Sequence, residues 1–258
     1  MELVNITSEI LLFLFCVGFV SGLVDSIAGG GGLIALPALL FIGLPPQMAL
    51  GTNKLQGSFG TFTAAWNYIK KGPATLREAV PGIFFTLLGA TSGTLLIQSL
   101  DSALIKPLIP VLLLLVFIYT LFSGHLGKED RAPKMNKNIF YASFGICLGF
   151  YDGFFGPGTG SFWTVAFMFF AGFNMTKATG YTKIMNFTSN IVALFWFILG
   201  GNVVYSIGLT MAAGQVVGAR IGSNLAIKNG TGFIRPIFLT VVLFTIMRLV
   251  YMNYISIT

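Results

Sequence analysis

The chain has 258 residues, of which 55% are hydrophobic and only 9% are charged, and its mean hydropathy is +0.85. Soluble domains carry about 25% charged residues, so this composition excludes an ordinary soluble protein. It predicts an all-α, polytopic integral membrane protein surrounded by the lipid bilayer. The formal net charge of +7 does not indicate nucleic acid as a partner, because membrane proteins collect Lys and Arg in their cytoplasmic loops.

Apolar segments follow one another along the chain, five in each half, which predicts about 8–10 membrane segments. The second segment of each half is shorter than the roughly 20 residues that a spanning helix needs. We expect it to be a half-helix, or one arm of a re-entrant hairpin formed with the first segment. The predicted segments are about 10–27, 33–43, 48–69, 79–98 and 103–122, then 139–153, 160–172, 178–199, 203–226 and 233–252.

A break separates the first and second segments of each half. Residues 25–32 read Asp-Ser-Ile-Ala-Gly-Gly-Gly-Gly, and residues 152–160 read Asp-Gly-Phe-Phe-Gly-Pro-Gly-Thr-Gly. Glycine weakens a helix, and irregular backbone is tolerated at membrane depth only inside protein or beside a water-filled cavity. Two broken segments in corresponding positions are typical of the binding site of a transporter.

The two halves are related by a tandem duplication. Ile105-Lys106-Pro107 corresponds to Ile234-Arg235-Pro236 at an offset of 129 residues (236 − 107), and Lys54 corresponds to Lys183 at the same offset. We therefore predict an N-terminal repeat over residues 1–124, a linker over 125–137 and a C-terminal repeat over 138–258.

The distribution of basic residues predicts that the repeats are inverted. Lys70, Lys71 and Arg77 follow the third segment of the first half, whereas Lys228 and Arg235 follow the fourth segment of the second half. Because Lys and Arg mark cytoplasmic loops, we expect the linker to be cytoplasmic and both termini to lie outside.

Lys54 and Lys183 are the strongest candidates for residues of a functional site. A lysine within a membrane segment costs at least roughly 2.5–3.5 kcal/mol, so it usually faces a cavity or a partner. The alternative is a lysine that extends from a helix end to the membrane surface. Polar side chains at helical spacing surround both lysines, and those predicted to bind substrate are Asn53, Gln56, Thr182 and Asn186.

The glycine breaks add backbone donors to this site. The N-terminus of a half-helix presents unpaired N–H groups and partial positive charge, which favour an anion. The predicted contributors are Gly29, Gly30, Gly31, Gly156, Gly158 and Ser161. Together with the two lysines they predict a positive pocket that binds oxygen atoms.

Asp25 and Asp152 are the acids that lie well inside apolar sequence. They either cap the broken segments and pair with the lysines, or take up protons for coupling. Glycines spaced four residues apart, such as Gly18 and Gly22, predict close helix packing. We expect no catalytic residues, no metal site and no cofactor.

The quoted runs resemble those of the TauE/SafE sulfite-exporter family. The resemblance is carried by residues 18–32, by Leu-Pro-Ala at 36–38, by Gly-Thr-Asn-Lys at 51–54 and by residues 149–161. It covers nearly the whole chain and is strongest to the bacterial inner-membrane members of YfcA type. It implies a secondary permease for small anions such as sulfite, sulfoacetate and related sulfur oxyanions, in the inner membrane.

Several alternatives stay open at this point. The pathway could be an uncoupled, channel-like one, or the substrate could be a small carboxylate without sulfur. A membrane-embedded enzyme and a scaffold whose glycines serve packing alone are further alternatives. Protons or sodium are the expected coupling ions, and a homodimer is a possible assembly.

Overall fold

The computed structural model describes residues 7–101, 104–105, 109, 111–112 and 129–229. Within these ranges the chain is helical and contains no strand. Several predicted elements lie wholly or mostly outside the described residues. They are the segments at 103–122 and 233–252, the start of the linker and both termini. The helices are α1 (Ser8–Ala28), α2 (Gly32–Phe41), α3 (Pro46–Lys70), α4 (Leu76–Ser99), α5 (Lys137–Phe154), α6 (Thr159–Phe169), α7 (Met175–Leu199) and α8 (Tyr205–Asn229).

Both predicted breaks are present. α1 ends where Gly29 takes a left-handed conformation with φ of +77°, and α6 begins after Gly158, whose φ is +83°. Side chains other than glycine rarely adopt this region, so glycine ends one helix and starts the next at little cost. The ten residues of α2 span about 15 Å, half of the hydrocarbon thickness.

The distribution of side chains is that of a multi-pass membrane protein. Among the described helices, Ser8–Ala28, Leu76–Ser99 and Met175–Leu199 are long and apolar enough to cross a bilayer. Large apolar side chains face outward, such as Val80 and Phe84 on α4, which are 58% and 57% exposed. Two lysines, Lys54 and Lys183, are instead buried in the interior. An apolar exterior around a charged interior is stable in lipid and not in water.

Each half contributes its first helix to a pair with the fourth helix of the other half, so that α1 packs on α8 and α4 packs on α5. Gly18 and Gly22 lie directly on the backbone of Met211 and Gln215, and a Cβ atom at Gly22 would clash with Gln215. The prediction that these glycines serve close helix packing is confirmed.

The equivalent helices α3 and α7 run antiparallel through the centre. Gly51 near the start of α3 lies against Asn202, just beyond the end of α7, and Gly180 near the start of α7 lies against Tyr68 near the end of α3. Thr61 and Asn190, which are equivalent at the 129-residue offset, approach each other to 3.5 Å between Oγ1 and Nδ2. Antiparallel equivalent helices are the relation that inverted repeats require. The boundaries of the repeats stay a prediction.

The basic residues gather at one end of the bundle. Arg220 and Lys71 reach amide oxygens of Asn67 and Asn224, where the end of α3 meets α8. Apart from Lys54 and Lys183, each described Lys or Arg lies in this end of the fold, near the ends of α3 and α8 or the starts of α4, α5 and α7. The opposite end carries Glu9 and Asp101. The fold therefore has a strong charge asymmetry along its long axis.

Candidate functional site

The two helix breaks touch each other at the centre of the fold. The backbone N–H of Ser161 donates to the carbonyl of Gly29 over 3.1 Å, and the Ser161 hydroxyl donates to the carbonyl of Ala28 over 3.0 Å. A Cβ atom at Gly160 would lie 2.5 Å from the Cα of Gly29, so only glycine allows this approach. The contact brings the N-terminal ends of α2 and α6 to one place.

The side chain of Lys54, on α3, lies beside the contact between the two helix breaks and is 1% exposed. It stands eight residues after the first residue of its helix (54 − 46), which is about 12 Å along the axis. Its Nζ donates to Oδ1 of Asp152 over 2.6 Å, to the Asp152 carbonyl over 2.5 Å and to Oδ1 of Asn190 over 3.2 Å. An ammonium has three donors, and all three are used. The other carboxylate oxygen of Asp152 accepts from the Ser189 hydroxyl.

Lys183 occupies the equivalent position in α7, eight residues after the start of that helix (183 − 175), and is fully buried. Its Nζ donates to Oδ2 of Asp25 over 3.0 Å. Oδ1 of Asp25 accepts from the backbone N–H of Gly31 over 3.2 Å, and Ser21 donates to the Gly31 carbonyl over 2.8 Å. Asp25 thus both pairs with a lysine and holds the start of α2 against α1.

The charges of the site cancel in this structure. The sequence predicts a positive pocket, but each lysine is neutralised by the carboxylate of the other half. Both acids pair with a lysine in this structure, and their role in coupling stays a prediction. Burying four charges is tolerated because each pair has close geometry and further hydrogen bonds, and removal of one partner would leave a buried charge.

A cavity of about 400 Å³, counted up to its open mouth, lies beside the Lys54–Asp152 pair. Five of the residues predicted to bind substrate do not line this cavity: Lys183, Thr182, Gly30, Gly31 and Ser161. Thr182 instead contacts the hydroxyl of Thr164. The predicted residues that do line it are Asp25, Gly29, Asn53, Lys54, Gln56, Asp152, Gly156, Gly158 and Asn186.

Three amide side chains in the cavity wall have an unsatisfied oxygen. Among the described residues, Oε1 of Gln56, Oδ1 of Asn186 and Oε1 of Gln215 are buried without a hydrogen-bond partner. Buried polar atoms are almost always paired with protein or with water. These three oxygens are therefore available to water or a ligand. A half-turn of the Asn186 or Gln215 amide exchanges its acceptor for a donor, whereas the Gln56 amide is held by its donation to Asn53.

Sequence reasoning missed Gln215 and Thr61 as parts of the wall. Gln215 lies next to Gly214 on α8 and enters through the space beside Gly60, where a Cβ atom would clash with its side chain. A polar amide between closely spaced glycines in an apolar helix was the available signal. Among the described residues no cluster of His, Cys, Asp or Glu could hold a metal ion.

Comparison with known proteins assigns the family. A family model described as sulfite exporter TauE/SafE matches residues 14–249. The chain belongs to the TauE/SafE family. The resemblance stated from the sequence is therefore confirmed.

Relatives of similar length support this assignment. A probable membrane transporter protein of Haemophilus influenzae is 43% identical over 247 residues, which cover 96% of this chain and 97% of the relative. The probable membrane transporter protein YfcA of Escherichia coli K12 is 42% identical over 240 residues, covering 93% and 89%. The probable membrane transporter protein ORF9 of a Sinorhizobium species is 39% identical and covers 95% and 94%. This TauE/SafE protein is a membrane transporter, and the names of its relatives point away from an enzyme.

Proposed function

We propose that this TauE/SafE protein is a secondary transporter of small anions, with sulfite, sulfoacetate and related sulfur oxyanions or organosulfonates as its substrates. The observation that carries the proposal is the cavity at the helix breaks, where Lys54 and the N-termini of α2 and α6 meet. The family is described as sulfite exporters, which is consistent with that substrate class.

Three features of the wall favour an anion with several oxygen atoms. Lys54 supplies a positively charged group that is 1% exposed, and charge interactions are strong at buried positions. The start of α6 at Thr159 and the start of α2 at Gly32 both line the cavity, and helix N-termini favour negative charge. The side-chain amides of Asn53, Asn186 and Gln215 add donors around this centre.

Alternating access is the mechanism that fits two antiparallel, equivalent units around one site. The cavity lies on the contact between the halves, because Lys54 and Asp152 that form its wall come from different halves. Movement of one half against the other would change which membrane face reaches the cavity. We place the basic end of the bundle in the cytoplasm, following the usual distribution of Lys and Arg, in a bacterial inner membrane.

A thermal-shift panel on the purified protein in detergent tests the substrate class. Sulfite, sulfate, thiosulfate, sulfoacetate, taurine and small carboxylates are compared one by one. A ligand at about 100 times its Kd stabilises by roughly 2.7 kcal/mol, which a melting curve resolves. We expect a shift with sulfur oxyanions or organosulfonates.

Two neutral-pair variants place the site within the molecule. Lys54→Met with Asp152→Asn removes the pair at the cavity without leaving an unpaired charge, and Lys183→Met with Asp25→Asn does the same in the other half. The first variant should lose the anion shift, and the second should keep more of it. Shifts by carboxylates alone would contradict the sulfur class, and no shift by any anion would contradict the anion site.

A further inference from the structure

The Lys54–Asp152 pair presents a problem for any anion that enters the cavity. Lys54 already donates to three oxygen atoms, two of them from Asp152. An anion that takes Lys54 away would leave Asp152, whose side chain is 5% exposed, as an unpaired carboxylate beside a second negative charge. Both an unpaired buried charge and a neighbouring like charge are strongly unfavourable.

We propose that Asp152 takes up a proton when the anion binds, so that anion and proton move across the membrane together. This inference rests on the proposed anion transport and names its coupling ion. Protonation converts Asp152 to a neutral acid and releases Lys54 to the substrate. For a single negative charge on the substrate, the site then keeps the same net charge before and after binding.

The hydroxyl of Ser189 suits both protonation states of Asp152. It donates to the ionised carboxylate in this structure. The same oxygen also lies 3.2 Å from the Met185 carbonyl and 3.1 Å from the Asn186 carbonyl. Because a hydroxyl donates one hydrogen and accepts others, it can turn towards a carbonyl and accept from a protonated Asp152. In both states the Ser189 hydroxyl and the carboxyl oxygen that it contacts keep a hydrogen bond to each other.

Asp25 is not equivalent in this respect. Its Oδ1 accepts from the backbone N–H of Gly31, a group that can only donate. A proton on that oxygen would face another hydrogen. Lys183, its partner, lies outside the cavity wall. The structure thus assigns the proton to Asp152 and a constant ion pair to Asp25 and Lys183.

Two side chains from other helices contact the Asp152 carboxylate: Lys54 from α3 and Ser189 from α7. On its own helix, the Tyr151 hydroxyl donates to the carbonyl of Pro157. α4 contributes Thr94, whose hydroxyl donates to the neighbouring carbonyl of Gly153 over 3.1 Å. Lys54 is the one cation in this set, so its release and the protonation of Asp152 are directly linked.

The test measures sulfoacetate affinity against pH by calorimetry on the full-length protein in detergent. Both acidic groups of sulfoacetate are fully ionised above about pH 6, so any pH dependence belongs to the protein. We expect Kd to rise about tenfold per unit of pH for each proton bound. Titrations in two buffers of different ionisation enthalpy should show uptake of at least one proton per sulfoacetate.

Asp152→Asn should bind sulfoacetate with no proton uptake and with a Kd that is independent of pH. Asp130→Asn, which changes an exposed carboxylate outside the cavity, is the matched control and should keep the wild-type slope. Repeating the wild-type titration with sodium and with potassium salts separates proton from sodium coupling.

Each other outcome overturns the inference. Wild-type binding without proton uptake excludes it even if Asp152→Asn does not fold, and so does an affinity that depends on sodium but not on pH. A slope lost in Asp25→Asn and kept in Asp152→Asn would move the proton to the other half. If no anion bound at all, the anion transport proposed above would fail first, which is a distinguishable result.

Discussion

The Lys54–Asp152 and Lys183–Asp25 pairs occupy equivalent positions in the two halves, yet their neighbours differ. Lys54 has Asn190 and a backbone carbonyl as additional acceptors, whereas among the described residues Asp25 is the one acceptor of Lys183. Asp152 has a hydroxyl partner, and Asp25 has a backbone N–H partner. One pair lines the cavity with both members, and the other does so with Asp25 alone.

The difference arises from substitutions around a duplicated core. Ser189 corresponds to Gly60 at the 129-residue offset (189 − 60). In the first half the missing side chain makes room for Gln215, which brings an unsatisfied amide oxygen to the cavity. The two halves thus hold equivalent ion pairs, and the residues beside each pair differ. The neighbours of Lys54–Asp152 suit exchange with a ligand, and those of Lys183–Asp25 suit a structural role.

The largest effect is expected from removing one carboxylate at a time. Asp25→Ala leaves Lys183 buried without an acceptor, which should cost roughly 3–5 kcal/mol of stability. Asp152→Ala should cost less, because Lys54 keeps the carbonyl of residue 152 and the amide of Asn190. Unfolding of both variants in matched detergent measures the difference. Equal losses, or a larger loss for Asp152→Ala, would contradict the distinction between the pairs.

The contact between the breaks is tested by Gly29→Ala with Gly43→Ala as its control. Both glycines have positive φ, +77° and +91°, but a Cβ atom at Gly43 meets nothing within 4 Å, while one at Gly29 meets the backbone of Gly160. Gly43→Ala should therefore cost only the backbone strain of roughly 1–2 kcal/mol. Gly29→Ala should cost that strain plus roughly 1–3 kcal/mol of overpacking. Equal melting temperatures for the two variants would argue against a tight contact between the breaks.

A smaller effect is expected when the hydroxyl partner of Asp152 is removed. Ser189→Ala takes a hydrogen bond from a buried carboxylate, and such bonds contribute roughly 1.5–3 kcal/mol. Ser58→Ala is the matched control, because the Ser58 hydroxyl donates to the backbone carbonyl of Lys54 over 2.7 Å. Ser189→Ala should also weaken sulfoacetate binding at neutral pH, since a protonated Asp152 loses its acceptor. If both serine variants bound sulfoacetate alike, Ser189 would have no special part in proton uptake.

The smallest effect belongs to the exposed pair at the basic end. The backbone N–H of Asn174 donates to Asp130 over 2.6 Å, and Lys177 lies 3.4 Å from the same carboxylate. The Asn174 N–H is the main group that lowers the pKa of Asp130, and Lys177 adds to it. A carboxylate with a lowered pKa stabilises the fold above its unfolded pKa of about 3.9. That contribution is lost as the pH falls through the folded pKa. Melting curves of Asp130→Asn should therefore differ slightly from wild type at neutral pH and converge with it in acid.

Much of the fold could be predicted from the sequence, because membrane helices and their breaks have local causes. Apolar runs predicted the helices, and the Asp- and Gly-containing stretches at 25–32 and 152–160 predicted the breaks between them. The pairing of Lys54 with Asp152, which are 98 residues apart, could not be derived. It depends on how the halves cross, and the sequence equally allowed each acid to pair with the lysine of its own half.

The cavity wall was less accessible to sequence reasoning than the helices. Lys183 and Lys54 are indistinguishable by position and helix length, yet only Lys54 reaches the cavity. The wall also contains Gln215 of α8, which has no amide counterpart in the first half, where Thr86 stands at the 129-residue offset (215 − 86).

The most direct test of the account follows protons and anion together in proteoliposomes that contain a pH-sensitive dye. An inward sulfoacetate gradient is imposed without a pH gradient, and wild type is compared with Asp152→Asn. The account predicts that sulfoacetate entry acidifies the lumen in wild type, while the variant exchanges labelled sulfoacetate without a change in lumenal pH. Sulfoacetate entry through the wild type with an unchanged lumenal pH would contradict it.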